Sequence, residues 1–309
     1  MMRKDNYLSM QAHTPRFLRQ GDEIRIVSTA RFVEREFINR AVSEIENRGY
    51  KVSLGKNLFE RENQFAGTDE QRLQDLNDAL ADQNVRAILA ARGGYGTARI
   101  LRGFDGKSFN NDPKWICGYS DITALHNHIY NAYQTQSLHS SMPIDFHKNS
   151  KEVMDSFFDL LEGKKCSYEA KPHALNRDGN GEGPMIGGNL SILYSLLGSS
   201  AQISGAGKIL FIEDLDEYLY HVDRMMVALK RAGILKNLGG LVVGGMNDMN
   251  DNKVPFGKTA EEIIAEHVSG YTYPVVFNFP SGHIQRNLPW IHGKKRRLTV
   301  RNGKPSLLQ

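Results

Sequence analysis

Cysteine is scarce in this sequence: Cys117 and Cys166 are the only two in 309 residues. Two cysteines cannot build the disulfide framework of a small secreted domain. Cys117 also lies within the apolar run 115–119, where a thiol is typical of a buried strand. We therefore expect a protein of a reducing compartment, and we place it in the cytoplasm.

Long apolar runs are absent as well. No segment approaches the ~20 consecutive apolar residues that a membrane-spanning helix needs. Residues 1–20 contain charges but no apolar core, so they predict neither a secretory signal nor a membrane anchor. We interpret residues 1–20 as a mobile N-terminal extension and expect no membrane partner.

Positive charge is too sparse to indicate a nucleic-acid surface. The formal net charge is +4, and the visible basic cluster is the run 294–297. No aromatic residues that could stack on bases are interleaved with this run. The run therefore predicts a solvated strand edge or hairpin, and we expect no nucleic-acid partner.

Motifs for metals and nucleotides are also missing. His126 and His128 are two residues apart in a predicted helix, so they face different sides, and no H-E-x-x-H motif occurs. Asp248 and Asp251 provide too few ligands for calcium. The glycine turn 91–97 lacks both the G-x-G-x-x-G and the Gly-Lys-Ser/Thr spacing. We expect neither a metal nor an organic cofactor.

The first half of the sequence alternates between short apolar runs and segments with helical periodicity. This alternation predicts a parallel sheet covered by helices on both faces. The predicted strands are 23–28, 50–54, 85–91 and 115–119, and the predicted helices are 33–48, 71–82, 97–101 and 124–133.

The alternation lapses between residues 146 and 180, where polar residues dominate. We place a domain boundary near residue 165, between an N-terminal domain (21–165) and a C-terminal domain (166–309). The second half resumes with predicted strands at 208–213, 241–244, 275–279 and 298–300, and with predicted helices at 191–197, 222–231 and 259–267.

Three predicted strands end in reactive side chains. Ser120 follows the strand at 115–119, Glu213 and Asp214 follow an apolar run, and His283 follows the strand at 275–279. Sites in α/β sheets gather beyond the carboxyl ends of strands, and a serine, a carboxylate and a histidine suffice for acyl transfer. From these residues alone, Ser120 could equally be a helix N-cap, the acids could cap the next helix, and the histidine could lie in an inert loop.

The glycine turn 91–97 offers bare backbone between a strand and a helix. Next to Ser120, the N–H groups of Gly93 and Gly94 could form part of an oxyanion hole. A tight turn that needs glycine only for its backbone conformation explains the turn equally well.

Short motifs occur in a fixed order between residues 22 and 300, at 65–68, 92–96, 117–121, 187–190, 211–214, 223–225, 231–235 and 282–283. In this ordered set the sequence resembles the LD-carboxypeptidases. That serine peptidase group includes the murein tetrapeptide LD-carboxypeptidases and the microcin C immunity peptidases.

The resemblance implies a Ser-His-Glu catalytic triad. By motif match, Ser120 is the nucleophile, His283 is the general base and Glu213 is the acid that orients the histidine. Glu217 lies four residues further on and does not match the motif, since the matching glutamate directly follows the apolar strand.

The resemblance also implies an oxyanion hole, a fold and an assembly. The oxyanion would be held by backbone N–H groups of Gly93, Gly94 and Asp121. The fold would be α/β, with a flavodoxin- or Rossmann-like parallel sheet in the N-terminal domain and a C-terminal α/β domain with a small sheet or barrel. The usual assembly is a homodimer.

The implied reaction is hydrolysis of the amide between an L-centre and a C-terminal D-amino acid, releasing D-alanine from murein tetrapeptide in cell-wall recycling. We interpret Arg92 as a ligand of the substrate carboxylate and Asn189 as a pocket residue, although an ion pair and a helix cap are their respective alternatives. The segment 284–293 is longer and more aromatic than in many family members. Two alternatives remain: a microcin C-type immunity peptidase cleaving aminoacyl-nucleotide conjugates, and a non-catalytic α/β ligand-binding protein.

Overall fold

The computed structural model describes residues 12–168 and 170–308. The strands form two six-stranded sheets. The first sheet consists of β1 (Glu23–Val27), β2 (Lys51–Leu54), β3 (Val85–Ala90), β4 (Trp115–Gly118), β5 (Ser137–His139) and β10 (Trp290–His292). The second sheet consists of β6 (Gly179–Asn189), β7 (Ile209–Leu215), β8 (Gly240–Asn247), β9 (Val275–Val276), β11 (Lys295–Arg301) and β12 (Lys304–Leu308).

Helices separate most of the parallel strands, as the alternation predicts. In the first half these are α1 (Arg35–Asn47), α2 (Asp69–Ala81), α3 (Thr97–Ile100), α4 (Gly106–Asn111), α5 (Thr123–Tyr133), α6 (Pro143–Phe146) and α7 (Lys151–Leu161). In the second half they are α8 (Leu190–Ser195), α9 (Leu219–Arg231) and α10 (Ala260–His267). Short 3-10 turns occupy Leu101–Gly103 and Ser120–Ile122.

The first sheet has the strand order β10-β5-β4-β3-β1-β2, in which β1 to β5 are parallel and β10 is antiparallel to β5. The order β2-β1-β3-β4-β5 is that of flavodoxin-like sheets, whose strand order reverses between β1 and β3. In the second sheet β6, β7, β8 and β9 are parallel, and β11 pairs in antiparallel fashion with both β6 and β12. The predicted α/β fold class is therefore confirmed.

Strand β10 connects the two halves of the chain. It lies in the C-terminal part of the sequence, yet Trp290, Ile291 and His292 pair with β5 of the first sheet. Ile291 is buried in the hydrophobic core of that sheet. The two halves are therefore joined by a strand as well as by side-chain packing. The predicted domain boundary near residue 165 stays a prediction.

The mobile extension predicted for residues 1–20 is wrong for the part that the structure describes. The side chains of Ala12 and Leu18 are buried, and the Leu18 N–H donates to the Leu161 carbonyl over 2.8 Å. The Trp115 indole donates to the carbonyl of Arg16. Residues 12–20 pack on the first sheet because Leu18 reaches its core, whereas residues 1–11 lie outside the described residues.

Two other expectations need correction. The segment 146–180 contains the helix α7, whose Phe157 and Phe158 are buried against the first sheet. The basic run 294–297 lies in a hairpin, as one alternative predicted, but β11 is not an edge strand because it pairs with both β6 and β12. Arg296 in this run is buried rather than solvated.

Cys117 and Cys166 are both free thiols, and Cys117 is buried in β4. In the described parts of the chain, no helix has the length and apolar character needed to cross a bilayer.

The packing of β10 generates a stability prediction. Ile291→Ala should lower the free energy of unfolding by about 2–5 kcal/mol, because it leaves a cavity in the core of the first sheet. The matched control is Gln285→Ala, since Gln285 is exposed in the segment that leads to β10. Chemical denaturation of both variants checks this, and equal stability of the two would contradict the packing role of β10.

Candidate active site

Ser120 lies where β4 ends and the helical segment before α5 begins. Its backbone is left-handed, with φ of 62°, a conformation that costs a serine about 1–2 kcal/mol. Neither cap position of the two helical segments here has a capping side-chain hydrogen bond. The Ser120 hydroxyl instead lies 3.1 Å from Nε2 of His283. The geometry therefore favours a reactive hydroxyl over a helix cap.

His283 and Glu213 complete a chain of hydrogen bonds from this hydroxyl. The Nδ1–H of His283 donates to Oε2 of Glu213 over 2.7 Å, and the backbone N–H of His283 donates to the same oxygen over 3.0 Å. With Nδ1 as donor, Nε2 is left to accept from Ser120. Glu213 is fully buried at the end of β7, so its carboxylate is fixed toward the imidazole.

The close approach of Glu213 depends on a glycine. A Cβ atom at Gly282 would lie 2.7 Å from Oε2 of Glu213, and the φ of 106° at Gly282 disfavours any larger residue. In the Gly-His pair, His283 supplies the imidazole, and Gly282 leaves the space that the Glu213 carboxylate occupies.

The charge of Glu213 controls the protonation of His283. Burial disfavours the charged imidazolium, but the Coulombic attraction and hydrogen bond of Glu213 outweigh it, so the pKa of His283 is raised above its usual 6.5. Asp214 and Asp145 add smaller favourable interactions. The site thus stabilises an imidazolium, the species formed when a histidine accepts a proton from serine.

Tyr119, which follows β4 of the first sheet, packs against the imidazole of His283. Its ring lies 4.7 Å from the His283 ring, centre to centre. Its hydroxyl donates to Oδ2 of Asp145 over 3.0 Å, which fixes the ring orientation. Both Tyr119 and Asp145 are buried.

The glycine turn that follows β3 lies directly against the serine. A Cβ atom at Gly93 would lie 3.0 Å from the Ser120 hydroxyl oxygen. The backbone N–H groups of Gly93, Gly94 and Asp121 donate to no other group in the described residues. The Asp121 carboxylate accepts from the N–H of Thr97 over 2.8 Å, and so ties the serine bend to the helix after the turn.

The predicted pocket residues Arg92 and Asn189 both line the cleft in front of Ser120. Arg92 is half-buried, and its guanidinium donates to the carbonyl of Phe32 over 3.1 Å without an ion pair among the described residues. Asn189 caps α8 by accepting from the N–H of Ile192, and its amide donates to Asp214. Asn189 thus matches the capping alternative, while its role in substrate binding stays a prediction.

The cleft has a volume of about 440 Å³. Arg31 and Arg92, which follow strands of the first sheet, line the cleft together with Asp145. Asp214 in β7 and Asp216 and Glu217 just after β7 line it as well. Glu217 is hydrogen-bonded to His221 rather than to His283. In the described parts of the chain, no group of three or more His, Cys, Asp or Glu side chains is arranged to hold a metal ion.

Both halves of the chain match models of a known protein family. The LD-carboxypeptidase N-terminal domain model matches residues 24–140, and the LD-carboxypeptidase C-terminal domain model matches residues 182–298. The chain belongs to the LD-carboxypeptidase family. It is therefore a member of a family of serine-type carboxypeptidases, as the ordered motifs predict.

Individual relatives of this LD-carboxypeptidase cover most of its length. It is 33% identical to a probable murein peptide carboxypeptidase of Bacillus subtilis (strain 168), over 88% of this chain and 86% of the relative. A crystal structure of muramoyltetrapeptide carboxypeptidase from Oxalobacter formigenes is 28% identical, with a TM-score of 0.83 over 92% of this chain and 97% of that one. A structure of MccF in complex with glutamyl sulfamoyl guanosine shares the fold, with a TM-score of 0.85 at 22% identity over 97% of this chain and 99% of MccF.

Sequence reasoning did not single out Arg31, Tyr119 or Asp145 of the LD-carboxypeptidase cleft. It also missed that Asp214 accepts a hydrogen bond from the N–H of Ser191 in α8. Arg31 and Tyr119 each lie beyond the end of an apolar strand, which was the available signal. Asp145 lies in a segment where the sequence predicted no element.

The link between Glu213 and His283 generates a pH prediction. In Glu213→Gln, burial of the imidazole remains while the negative charge is lost, so the pKa of His283 should fall. The wild-type imidazole should lose its proton above pH 6.5, and the variant imidazole at a lower pH than wild type. Titration of ¹⁵N-labelled histidine by NMR measures the pKa of His283 in wild type and in Glu213→Gln. Glu217→Gln is the matched control, because Glu217 contacts His221 instead; an equal shift in both variants would contradict this assignment.

Proposed function

We propose that this enzyme hydrolyses the amide between an L-centre and a C-terminal D-amino acid, and that its substrate is murein tetrapeptide, from which it releases D-alanine in cell-wall recycling. The observation that carries the proposal is the hydrogen-bonded series Ser120–His283–Glu213 beside the unpaired N–H groups of a glycine turn. The relatives named murein peptide and muramoyltetrapeptide carboxypeptidase support the choice of substrate.

The first half of the reaction forms an acyl-enzyme. The Ser120 oxygen attacks the scissile carbonyl carbon while Nε2 of His283 takes the hydroxyl proton. The carbonyl electron pair moves onto oxygen, and the N–H groups of Gly93, Gly94 and Asp121 donate to this oxyanion. Nε2 then gives its proton to the leaving nitrogen, the C–N bond breaks, and the D-amino acid departs.

The second half releases the peptide. Water loses a proton to Nε2 of His283 and attacks the ester carbonyl, and the same proton then returns to the Ser120 oxygen as the ester bond breaks. Glu213 stays ionised throughout, because its role is to hold the imidazole and to stabilise the imidazolium. These steps require no metal and no organic cofactor.

A cleavage assay tests this function. Ser120→Ala should lower kcat/KM on the peptide L-alanyl-γ-D-glutamyl-meso-diaminopimelyl-D-alanine by about 10³-fold or more, because the nucleophile is lost. Ser199→Ala is the matched control, since Ser199 lies in a turn outside the cleft and bonds only to nearby backbone. Released D-alanine is measured by mass spectrometry. Near-normal turnover by Ser120→Ala would refute the nucleophile, whereas a wild type that releases no D-alanine would favour the non-catalytic alternative.

The microcin-type alternative uses the same three side chains on a different substrate. The likeness to MccF is at 22% identity, so it concerns the fold alone. Incubation of the protein with an aminoacyl sulfamoyl adenylate beside the tetrapeptide separates the two functions, because each substrate yields a different product. Faster cleavage of the adenylate would favour the immunity peptidase.

We also propose that the enzyme is a cytoplasmic homodimer, as the family resemblance implies. Its two free cysteines are compatible with a reducing compartment. Sedimentation velocity of the purified chain should give a species of about twice the 34.8 kDa chain mass. A single species at the chain mass across micromolar concentrations would contradict the dimer.

A further inference from the structure

Arg31 is a second arginine at the mouth of the cleft, and the mechanism above does not use it. It lies beyond the end of β1, whereas Arg92 and Gly93 lie beyond β3 and Ser120 lies beyond β4. Because β4, β3 and β1 are neighbours in the sheet, these groups form one row along its edge. The gap between β1 and β3 is the point where the strand order reverses, which is where open α/β sheets bind ligands.

The Arg31 side chain lies against the glycine turn. A Cβ atom at Gly94 would lie 2.6 Å from Cδ and 3.0 Å from Nε of Arg31. Gly93, one residue earlier, is in contact with the Ser120 hydroxyl. The Arg31 side chain therefore lies beside the turn that we assign to the oxyanion.

The charge at this position is not neutralised within the described residues. Arg31 has neither a hydrogen bond nor an ion pair through its guanidinium there, and it is exposed to the cleft. Arg92 next to it is partly desolvated. Burial first, and then the charge of Arg31, lower the pKa of Arg92, whereas the charges of Asp145 and Glu34 raise it by less. The two guanidinium groups repel each other and neither forms an ion pair among the described residues, so an anion that binds between them is favoured.

The position of Arg31 beside the glycine turn suits the terminal carboxylate of a peptide whose last amide lies at Ser120. In a peptide, the terminal carboxylate carbon is three bonds beyond the scissile carbonyl carbon, at most about 4 Å away. A carbonyl held between Ser120 and the glycine turn would therefore place this carboxylate beside Gly94, within reach of the Arg31 side chain. On the acidic side of the cleft, Asp214, Asp216 and Glu217 would repel the same group.

We propose that Arg31, with Arg92 beside it, binds the free C-terminal carboxylate of the substrate and so restricts the enzyme to the last peptide bond. This assignment rests on the proposed LD-carboxypeptidase reaction. It makes Arg31 a specificity-determining residue, since the guanidinium contacts a part of the substrate that does not react. Arg31 can supply two parallel N–H donors to a carboxylate, which a lysine cannot.

Two peptides that differ only at the terminal carboxylate test the proposal. One is the tetrapeptide with free D-alanine at its end, and the other ends in D-alaninamide. The kcat/KM of wild type should be about 100-fold higher for the acid than for the amide, because only the carboxylate can accept a pair of charge-assisted hydrogen bonds from the guanidinium. Arg31→Met should lower kcat/KM on the acid by about 30-fold to 100-fold and leave cleavage of the amide within about 2-fold. Arg31→Lys should retain part of the preference, because it keeps the charge without the planar fork.

Arg61→Met is the matched control. Arg61 is exposed nearby and stacks on the Phe32 ring at 3.7 Å, but it does not line the cleft, so both rates should stay unchanged. Equal losses on acid and amide in Arg31→Met would show a structural role and overturn the assignment. An unchanged ratio of acid to amide cleavage would overturn it as well.

A binding measurement separates failure of this inference from failure of the proposed function. Ser120→Ala should bind the acid peptide more tightly than the amide in isothermal titration calorimetry, and adding Arg31→Met should abolish the difference. If wild type cleaves neither peptide, the proposed reaction is wrong. If it cleaves both and Arg31→Met changes neither the ratio nor the difference in binding, only the role of Arg31 is wrong. A peptide that is neither cleaved nor bound refutes both.

Discussion

The site depends on one contact between the two halves of the chain, the 3.1 Å approach of the Ser120 hydroxyl to His283 Nε2. Ser120 belongs to the first sheet, whereas His283 and its partner Glu213 belong to the second. Such a distance is set by the packing of the sheets, not by either loop. Strand β10 fixes this packing, because it begins seven residues after His283 and pairs with β5, the neighbour of β4. The C-terminal half of the chain thereby contributes a strand to the sheet that carries Ser120.

A second set of contacts holds the halves together beside the serine. Helix α5 begins three residues after Ser120, and its first residue, Thr123, accepts a hydrogen bond from the N–H of Asn189 at the end of β6. In the same helix, Asn127 contacts the carbonyl of Gly187 and the ring of His292. These bonds are buried, so breaking them would leave polar groups unsatisfied in the core. The bend at Ser120, which a serine adopts at a cost, is therefore held from both sides.

Much of the fold could be predicted from the sequence, since β1, β3 and β4 are short apolar runs separated by helical periodicity. Strand β6 could not, because its glycines and proline are typical of a loop. Its glycines are needed for close packing: a Cβ atom at Gly181 would collide with the Gly239 carbonyl. Strand β10 has three residues, and its partner β5 lies about 150 residues earlier, so no local pattern indicates the pairing. In the same way, Arg31 resembles any surface arginine until the sheet order places β1 beside β3.

The strand order also arranges the chemistry in space. Along the edge formed by β4, β3 and β1 lie the proposed nucleophile, the backbone N–H groups of the glycine turn and the Arg31 side chain, in that order. Asp216 and Glu217, which follow β7, add carboxylates to the lining of the same cleft. A peptide that binds with its negative end toward β1 has its last amide over Ser120. The direction of binding and the bond that reacts then follow from a single feature, the parallel alignment of neighbouring strands.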